Sequence, residues 1–165
     1  MSKPKAVTPA GVSHITFPHV IRPVQPADIE PLMLLWLQAS IDAHPFIAAT
    51  YWFESAAMVR DTLVSSANTW VACHQESGKL IGFISLLNSQ FVAALFVEKS
   101  VYGQGVAQQL MAEVKYHYPS LLLEVYQQNF RAVAFYHKEN FSVVKETQHP
   151  GTKLPTWVMR WQNAR

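Results

Sequence analysis

The stretch Phe91–His117, FVAALFVEKSVYGQGVAQQLMAEVKYH, decides how the rest of the chain is arranged. It opens with a near-continuous apolar run, Phe91 to Val97, of the length and composition of a strand buried on both faces. Gly103-Gln104-Gly105-Val106-Ala107 follows and runs straight into a helical pattern. Val106, Ala107, Leu110, Met111, Val114 and Tyr118 recur at helical spacing, with Gln108, Gln109, Glu113 and Lys115 on the other side. The order is buried strand, glycine loop, amphipathic helix. Glycines at a helix start leave backbone N–H groups unobstructed, and those donors plus the helix dipole favour a phosphate. A turn that simply needs flexible residues fits the same glycines. Two phosphate motifs are excluded. No Lys-Ser/Thr follows the last glycine, as a nucleotide-hydrolase loop requires, and Gln108 occupies the third glycine place of the dinucleotide fingerprint.

Working outward, the run Leu121–Tyr126 gives another buried strand, with Glu124 as a lone carboxylate inside it. Asn129 is placed to cap the next helix, where Ala132, Phe135 and Tyr136 share a face. Asn140 stands where a left-handed C-terminal cap is needed. Phe141–Lys145 and Thr156–Trp161 supply two final strands. Upstream, Val20-Ile21-Arg22 stops at Pro23 and reads as a first strand near an edge. A helix opens at Pro26-Ala27-Asp28, with Ile29, Leu32, Met33 and Trp36 as its core stripe. Leu34, Leu35 and Leu37 make its other side apolar, and burial is the simplest reason. His44-Pro45-Phe46 breaks that helix, and Thr50 is the expected cap of a second one running to about Ser65. Trp70–His74 and Lys79–Leu87 form a hairpin around Gln75–Gly78, and Asn88-Ser89-Gln90 turns the chain into the organising strand. The order β-α-α-β-β-β-α-β-α-β-β predicts a mixed sheet with helices on both faces.

Composition bounds the function. The 165 residues fit one domain with a real core, and half of them are hydrophobic. The net charge of +2 is scattered, which argues against nucleic acid as a partner. A single cysteine, Cys73, lies in a strand pattern and reads as a small buried hydrophobe in a reducing compartment. No apolar run is long enough to span a membrane, and no secretory h-region is present, so a cytoplasmic protein is expected. The seven histidines are dispersed, without metal-ligand spacing, so no metal is expected. Residues 1–19 read as a loosely ordered extension, and 20–165 as the folded domain.

Two segments, AALFVEKSVYGQGVAQQLM and EVYQQNFRAVAFYHKENF, resemble the motif pair of the GNAT superfamily of N-acetyltransferases. The first is similar to its coenzyme-binding pattern, Gln/Arg-x-x-Gly-x-Gly/Ala, with Gly105 and Ala107 in the Gly-x-Gly/Ala places. The second is similar to Asn-x-x-Ala-x-x-Phe-Tyr-x-x-x-Gly-Phe, matched by Asn129, Ala132, Phe135, Tyr136 and Phe141. HPFIAATYW and LPTWVMRW further resemble small bacterial single-domain members, including protein-lysine acetyltransferases. The chain departs twice, with Tyr102 where the family has Gln or Arg, and Asn140 where it has Gly. The fold implied is a mostly antiparallel, mixed α/β (α+β) sheet of about seven strands flanked by about four helices.

The resemblance implies acetyl-CoA as cosubstrate and an amine acceptor, either a protein lysine or a small molecule, in a monomer or homodimer. Leu95, Phe96 and Val97 would lend backbone groups to the pantetheine arm as to an added strand. Gly103, Gln104, Gly105, Val106, Ala107 and Gln108 would hold the pyrophosphate, with Asn129, Ala132 and Phe135 also at the coenzyme. Tyr136 matches the family tyrosine that protonates the departing thiolate. A phenol of pKa about 10 can protonate a thiolate whose thiol lies near 8.5. Glu124 is the expected base, because a carboxylate in an apolar strand needs a reason, although a structural ion pair would also supply one. Glu98 and His44 are the other candidates. His44, Phe46, Trp52 and Trp157 are expected on the acceptor side, with core packing as the alternative for the aromatics. The alternative function is a non-catalytic acyl-CoA-binding module.

Overall fold

A computed structural model of the protein describes residues 19–164, so residues 1–18 of the expected N-terminal extension lie outside the described residues, and its last residue, His19, already belongs to the first strand. Seven strands and four helices follow in the expected order. Strand β1 (His19–Pro23) and a short 3-10 turn (Pro26–Asp28) lead to α1 (Ile29–Ala43) and α2 (Ala49–Ser65). Then come β2 (Asn68–His74), β3 (Leu80–Leu87), β4 (Phe91–Val97), α3 (Val106–His117), β5 (Ser120–Tyr126), α4 (Phe130–Lys138), β6 (Ser142–Gln148) and β7 (Pro155–Gln162). The sheet order is β1-β2-β3-β4-β5-β7-β6, with β1 at an edge as expected. Every pairing is antiparallel except β4 with β5, which the intervening helix α3 obliges to be parallel.

The period-two alternation of the strands sorts side chains to two cores. Ile84 and Leu86 of β3 and Leu121, Leu123 and Val125 of β5 join Val106, Leu110, Met111 and Val114 of α3 on one face. Phe83 of β3 and Val71 and Cys73 of β2 meet Leu32, Met33 and Trp36 of α1 and Trp52 of α2 on the other. Cys73 is buried as expected, and burial pushes its thiol up. The apolar far side of α1 is partly covered: Leu35 and Leu37 pack into the second core, while Leu34 stays 71% exposed.

Three turns follow from local chemistry. Asn88 and Ser89 both take left-handed φ (54° and 70°) in the tight β3–β4 connection. Asn140, at φ 70°, ends α4 as the capping argument requires. Thr50 does not cap α2; the cap is Ala48, two residues earlier, and Tyr51 N–H bonds the Ala48 carbonyl.

Gly82 sets how closely α3 approaches the sheet. A Cβ there would lie 3.2 Å from the Phe96 carbonyl oxygen and 3.3 Å from both Leu110 Cδ1 and Val106 Cγ1. Gly82→Val is therefore expected to lower stability by about 1–3 kcal/mol through overpacking. Urea unfolding followed by circular dichroism measures this, and an unchanged midpoint would refute it.

Candidate active site

The organising strand is less buried than its composition suggests. Only Val92 of β4 is fully buried, and Ala93 is exposed. The cause is a bulge. Ser85 pairs with Ala94 and Leu86 with Val92, so Ala93 is an extra residue with no partner on β3. The bulge switches the facing of the strand, so Val92 lies in the α3-side core whereas Ala94 packs toward α1. It also bends β4 away from β5. The two pair only at Phe91–Leu122 and Val92–Leu123, and beyond that point their facing backbone groups have no ladder partner in one another. The gap widens into a cleft of about 650 Å³ running through the sheet.

At one end of the cleft lies the glycine turn. Gly103 and Gly105 both take left-handed φ (81° and 83°), and Gly105 is the residue that caps α3. The first helical bond is Gln109 N–H to the Gly105 carbonyl, which leaves the N–H groups of Val106, Ala107 and Gln108 without intrahelical acceptors. Gly103, Gly105, Val106, Ala107 and Gln108 line the cleft together with Leu95, Phe96 and Val97; Gln104 does not.

Helix α4 forms one wall. Asn129 Oδ1 accepts from Ala132 N–H at 3.2 Å, so the expected cap is made. Its Nδ2 lies 3.5 Å from His44 Nε2 on the other side of the sheet. Phe135 and Tyr136 line the cleft about two turns beyond Asn129, with ring centroids 5.5 Å apart. Burial raises the Tyr136 phenol above its ordinary range, so it stays protonated, and no protein group among the described residues bonds its hydroxyl.

The opposite wall is aromatic. His44 stacks on Trp52 at 4.9 Å and meets Tyr126 edge-on at 5.3 Å. Its Nδ1 lies 2.7 Å from the Ser40 carbonyl, an acceptor only, so Nδ1 carries the proton and Nε2 is the bare nitrogen. Trp52 Nε1 and Ser40 Oγ are buried without hydrogen-bond partners among the described residues, and both residues line the cleft. Glu124 lies on the same strand face as Tyr126, two positions away, and accepts from Thr156 Oγ1 at 2.6 Å. It is half-buried and lines the cleft.

The remaining expected residues fall elsewhere. Phe46 backs the wall, contacting His44 and Tyr126 at 5.6 and 5.8 Å, without lining the cleft. Trp157 pairs with Val125 and packs on the α3-side core, the face opposite Glu124, so it is not on the aromatic wall. Glu98 is outside the cleft lining and engaged by Lys79 at 3.1 Å and the Ser100 hydroxyl at 2.6 Å; the Ser100 bond leads in holding its carboxyl low. Cleft residues that had gone unread as site residues in the sequence include Tyr51, Tyr126, Arg131 and His149. Alternation along β5 could have found Tyr126 from Glu124; the others come from a helix, a helix start and a loop that only the folded chain brings together. Among the described residues no cluster of three His, Cys, Asp or Glu could hold a metal, and no helix is long and apolar enough to cross a membrane.

The state of His44 predicts a pH effect. Burial lowers its pKa, so the folded protein resists a proton that the unfolded chain accepts near pH 6.5. A depressed folded value gives stability that is complete above the unfolded value and lost as pH falls through the folded one. The urea midpoint is expected to drop between pH 7 and pH 5, and to drop less in His44→Gln. Parallel losses in both proteins would remove His44 from the account.

Comparisons with known proteins agree with this architecture. The family model described as an acetyltransferase (GNAT) domain matches residues 45–161. The Escherichia coli peptidyl-lysine N-acetyltransferase YiaC is 39% identical over 142 residues, covering 86% of this chain and 96% of its own. The solution structure of apo-form YjaB from E. coli superposes with a TM-score of 0.76 at 30% identity, covering 88% of this chain and 99% of that one. A PaiA N-acetyltransferase from Thermoplasma acidophilum, solved in complex with coenzyme A, shares the fold with a TM-score of 0.71 at 19% identity over 87% of this chain and 98% of that one. With the split strands, the glycine turn and the matched motifs, these place the chain in the GNAT family of N-acetyltransferases.

Proposed function

We propose that the chain transfers the acetyl group of acetyl-CoA to the side-chain amine of a lysine in a protein or peptide. The observation that carries this reading is the split between β4 and β5, which ends at a left-handed glycine turn and has Tyr136 and Glu124 among the residues lining it. Backbone groups of Leu95, Phe96 and Val97, left without a ladder partner on the β5 side, suit the amides of a pantetheine arm. The free N–H groups after Gly105 suit a pyrophosphate. The cosubstrate supplies a thioester, a carbonyl already activated toward an amine. Tyr136 holds a proton for the departing sulfur, and Glu124, with one oxygen fixed by Thr156, takes the proton that the amine must lose.

The lysine assignment draws on the relatives, which are named peptidyl-lysine N-acetyltransferases and align along most of their lengths. The site is compatible with it. An aliphatic stem can lie against Trp52 and Tyr126, with the ammonium directed to Glu124, the carboxylate lining the cleft. The test is thiol release from acetyl-CoA with lysine peptides, polyamines and free amino acids in parallel, followed by mass spectrometry of acetylated lysate proteins. Lysine-specific turnover is expected. Turnover with polyamines alone would overturn the acceptor, and coenzyme binding without turnover would make the chain an acyl-CoA-binding module.

A further inference from the structure

Tyr102 occupies the place where the family motif has Gln or Arg, immediately before the glycine turn. A neutral phenol cannot offer the forked, charged donors that Arg presents to a phosphate. The structure brings a guanidinium to the same spot from another element. Arg131, in the first turn of α4, lies with its guanidinium carbon 3.6 Å from the centre of the Tyr102 ring. Both side chains line the cleft beside Gly103 and Gly105.

Arg131 is exposed at the start of α4 and is in contact with the Tyr102 ring. Among the described residues it forms no ion pair with any carboxylate. Its position also opposes the dipole of α4, whose N-terminal turn favours anions over cations. An unpaired cation at the positive end of a helix is stabilised by an anion from outside. The contact with the Tyr102 ring is of the cation–π kind, and a guanidinium can bind phosphate through two parallel bonds. Lys138, the other permanent cation lining the cleft, sits at the far end of α4.

We propose that Arg131, placed over the Tyr102 ring, binds a phosphate of the coenzyme and takes over the donor role that Gln or Arg fills at the first motif position elsewhere in the family. The pair is a relocated phosphate clamp in which α4 donates the charge and the glycine loop donates the platform. This rests on the acetyl-CoA reading above. The ligand chemistry is a phosphate in both available forms, the pyrophosphate and the ribose 3′-phosphate.

The experiment combines calorimetry and kinetics on Arg131→Gln. Its affinity for coenzyme A is expected to fall about tenfold to a hundredfold, the weight of charge-assisted hydrogen bonds to phosphate. Its kcat/KM with acetyl-pantetheine, which carries no phosphate, is expected to match wild type. If the affinity loss persists with 3′-dephospho-coenzyme A the clamp holds the pyrophosphate, and if it vanishes the clamp holds the 3′-phosphate. Tyr102→Leu, which removes the platform only, is expected to weaken coenzyme A binding by roughly threefold. The double variant Tyr102→Arg/Arg131→Gln is expected to regain most of the lost affinity by restoring the family arrangement. Arg131→Gln within twofold of wild type for coenzyme A would overturn the clamp, and so would an equal loss of activity with acetyl-pantetheine. Failure of the wild-type protein to bind coenzyme A at all would instead sink the coenzyme reading itself, and the clamp with it.

Discussion

Tyr136→Phe is expected to lower kcat by about 10²–10⁴, the usual weight of a positioned general acid, with the KM for acetyl-CoA nearly unchanged. The substitution deletes one oxygen and keeps the ring. The ring's packing against Phe135 and Phe141, at centroid distances of 5.5 and 5.6 Å, therefore survives. The hydroxyl makes no protein hydrogen bond among the described residues, so no partner is orphaned by its loss. A structural role accordingly predicts almost no effect, and a proton-donor role predicts a large one. Burial strengthens the contrast, because it keeps the phenol protonated across the working pH range. Steady-state kinetics that follow free thiol at saturating acceptor make the measurement. A variant within about threefold of wild type, with chemistry rate-limiting, would return Tyr136 to the core and leave water as the proton source.

Much of the fold could be read from local chemistry because its elements carry self-consistent signals. Gly105 and the periodic Val106–Val114 face announce the turn and helix α3 without reference to anything distant. Asn129 and Asn140 bracket α4 through cap geometry, and both roles are met in the structure. The Ala93 bulge was invisible, although it lies where β4 parts from β5. Nothing in Phe91–Val97 marks one residue as extra, since the bulge is defined by the register with β3. The same run reads as buried on both faces, and is so only where β5 still lies beside it. Thr50 failed for a related reason: cap propensity is local, but the start of α2 is set by how the chain leaves the turn after His44.

The site was legible where motif and topology coincide, and not where it depends on convergence. Trp52 and Trp157 look equivalent in the sequence, each an aromatic in an amphipathic pattern. They separate only in the folded chain, where strand parity puts Trp157 on the far face of β7 while α2 swings Trp52 against His44. Glu98 and Glu124 also look alike as carboxylates ending or interrupting apolar strands. Lys79 and Ser100 occupy the first, whereas the second faces the cleft.

Glu124→Gln is expected to lower kcat/KM by about 10² at neutral pH, with the deficit shrinking as pH approaches the free amine's pKa near 10. The amide keeps the volume of the carboxylate and can still accept from the Thr156 hydroxyl, now 2.6 Å from one carboxylate oxygen. Strand β5 should therefore stay in place against β7, and coenzyme affinity should be retained. What disappears is the site that takes the ammonium proton. At low pH nearly every acceptor molecule arrives protonated, so the variant suffers most there; at high pH solvent has already removed the proton. A carboxylate that only steadied Thr156 would give the opposite pattern, a loss independent of pH and accompanied by a lower unfolding midpoint. Thr156→Val separates the two further, since it removes the hydroxyl that holds the carboxylate and keeps the proton acceptor. Its profile should retain the wild-type shape at a reduced height. If Glu124→Gln shows the wild-type profile at full height, the proton leaves by another route, and His44 Nε2, bare and facing Asn129 across the cleft, becomes the group to test.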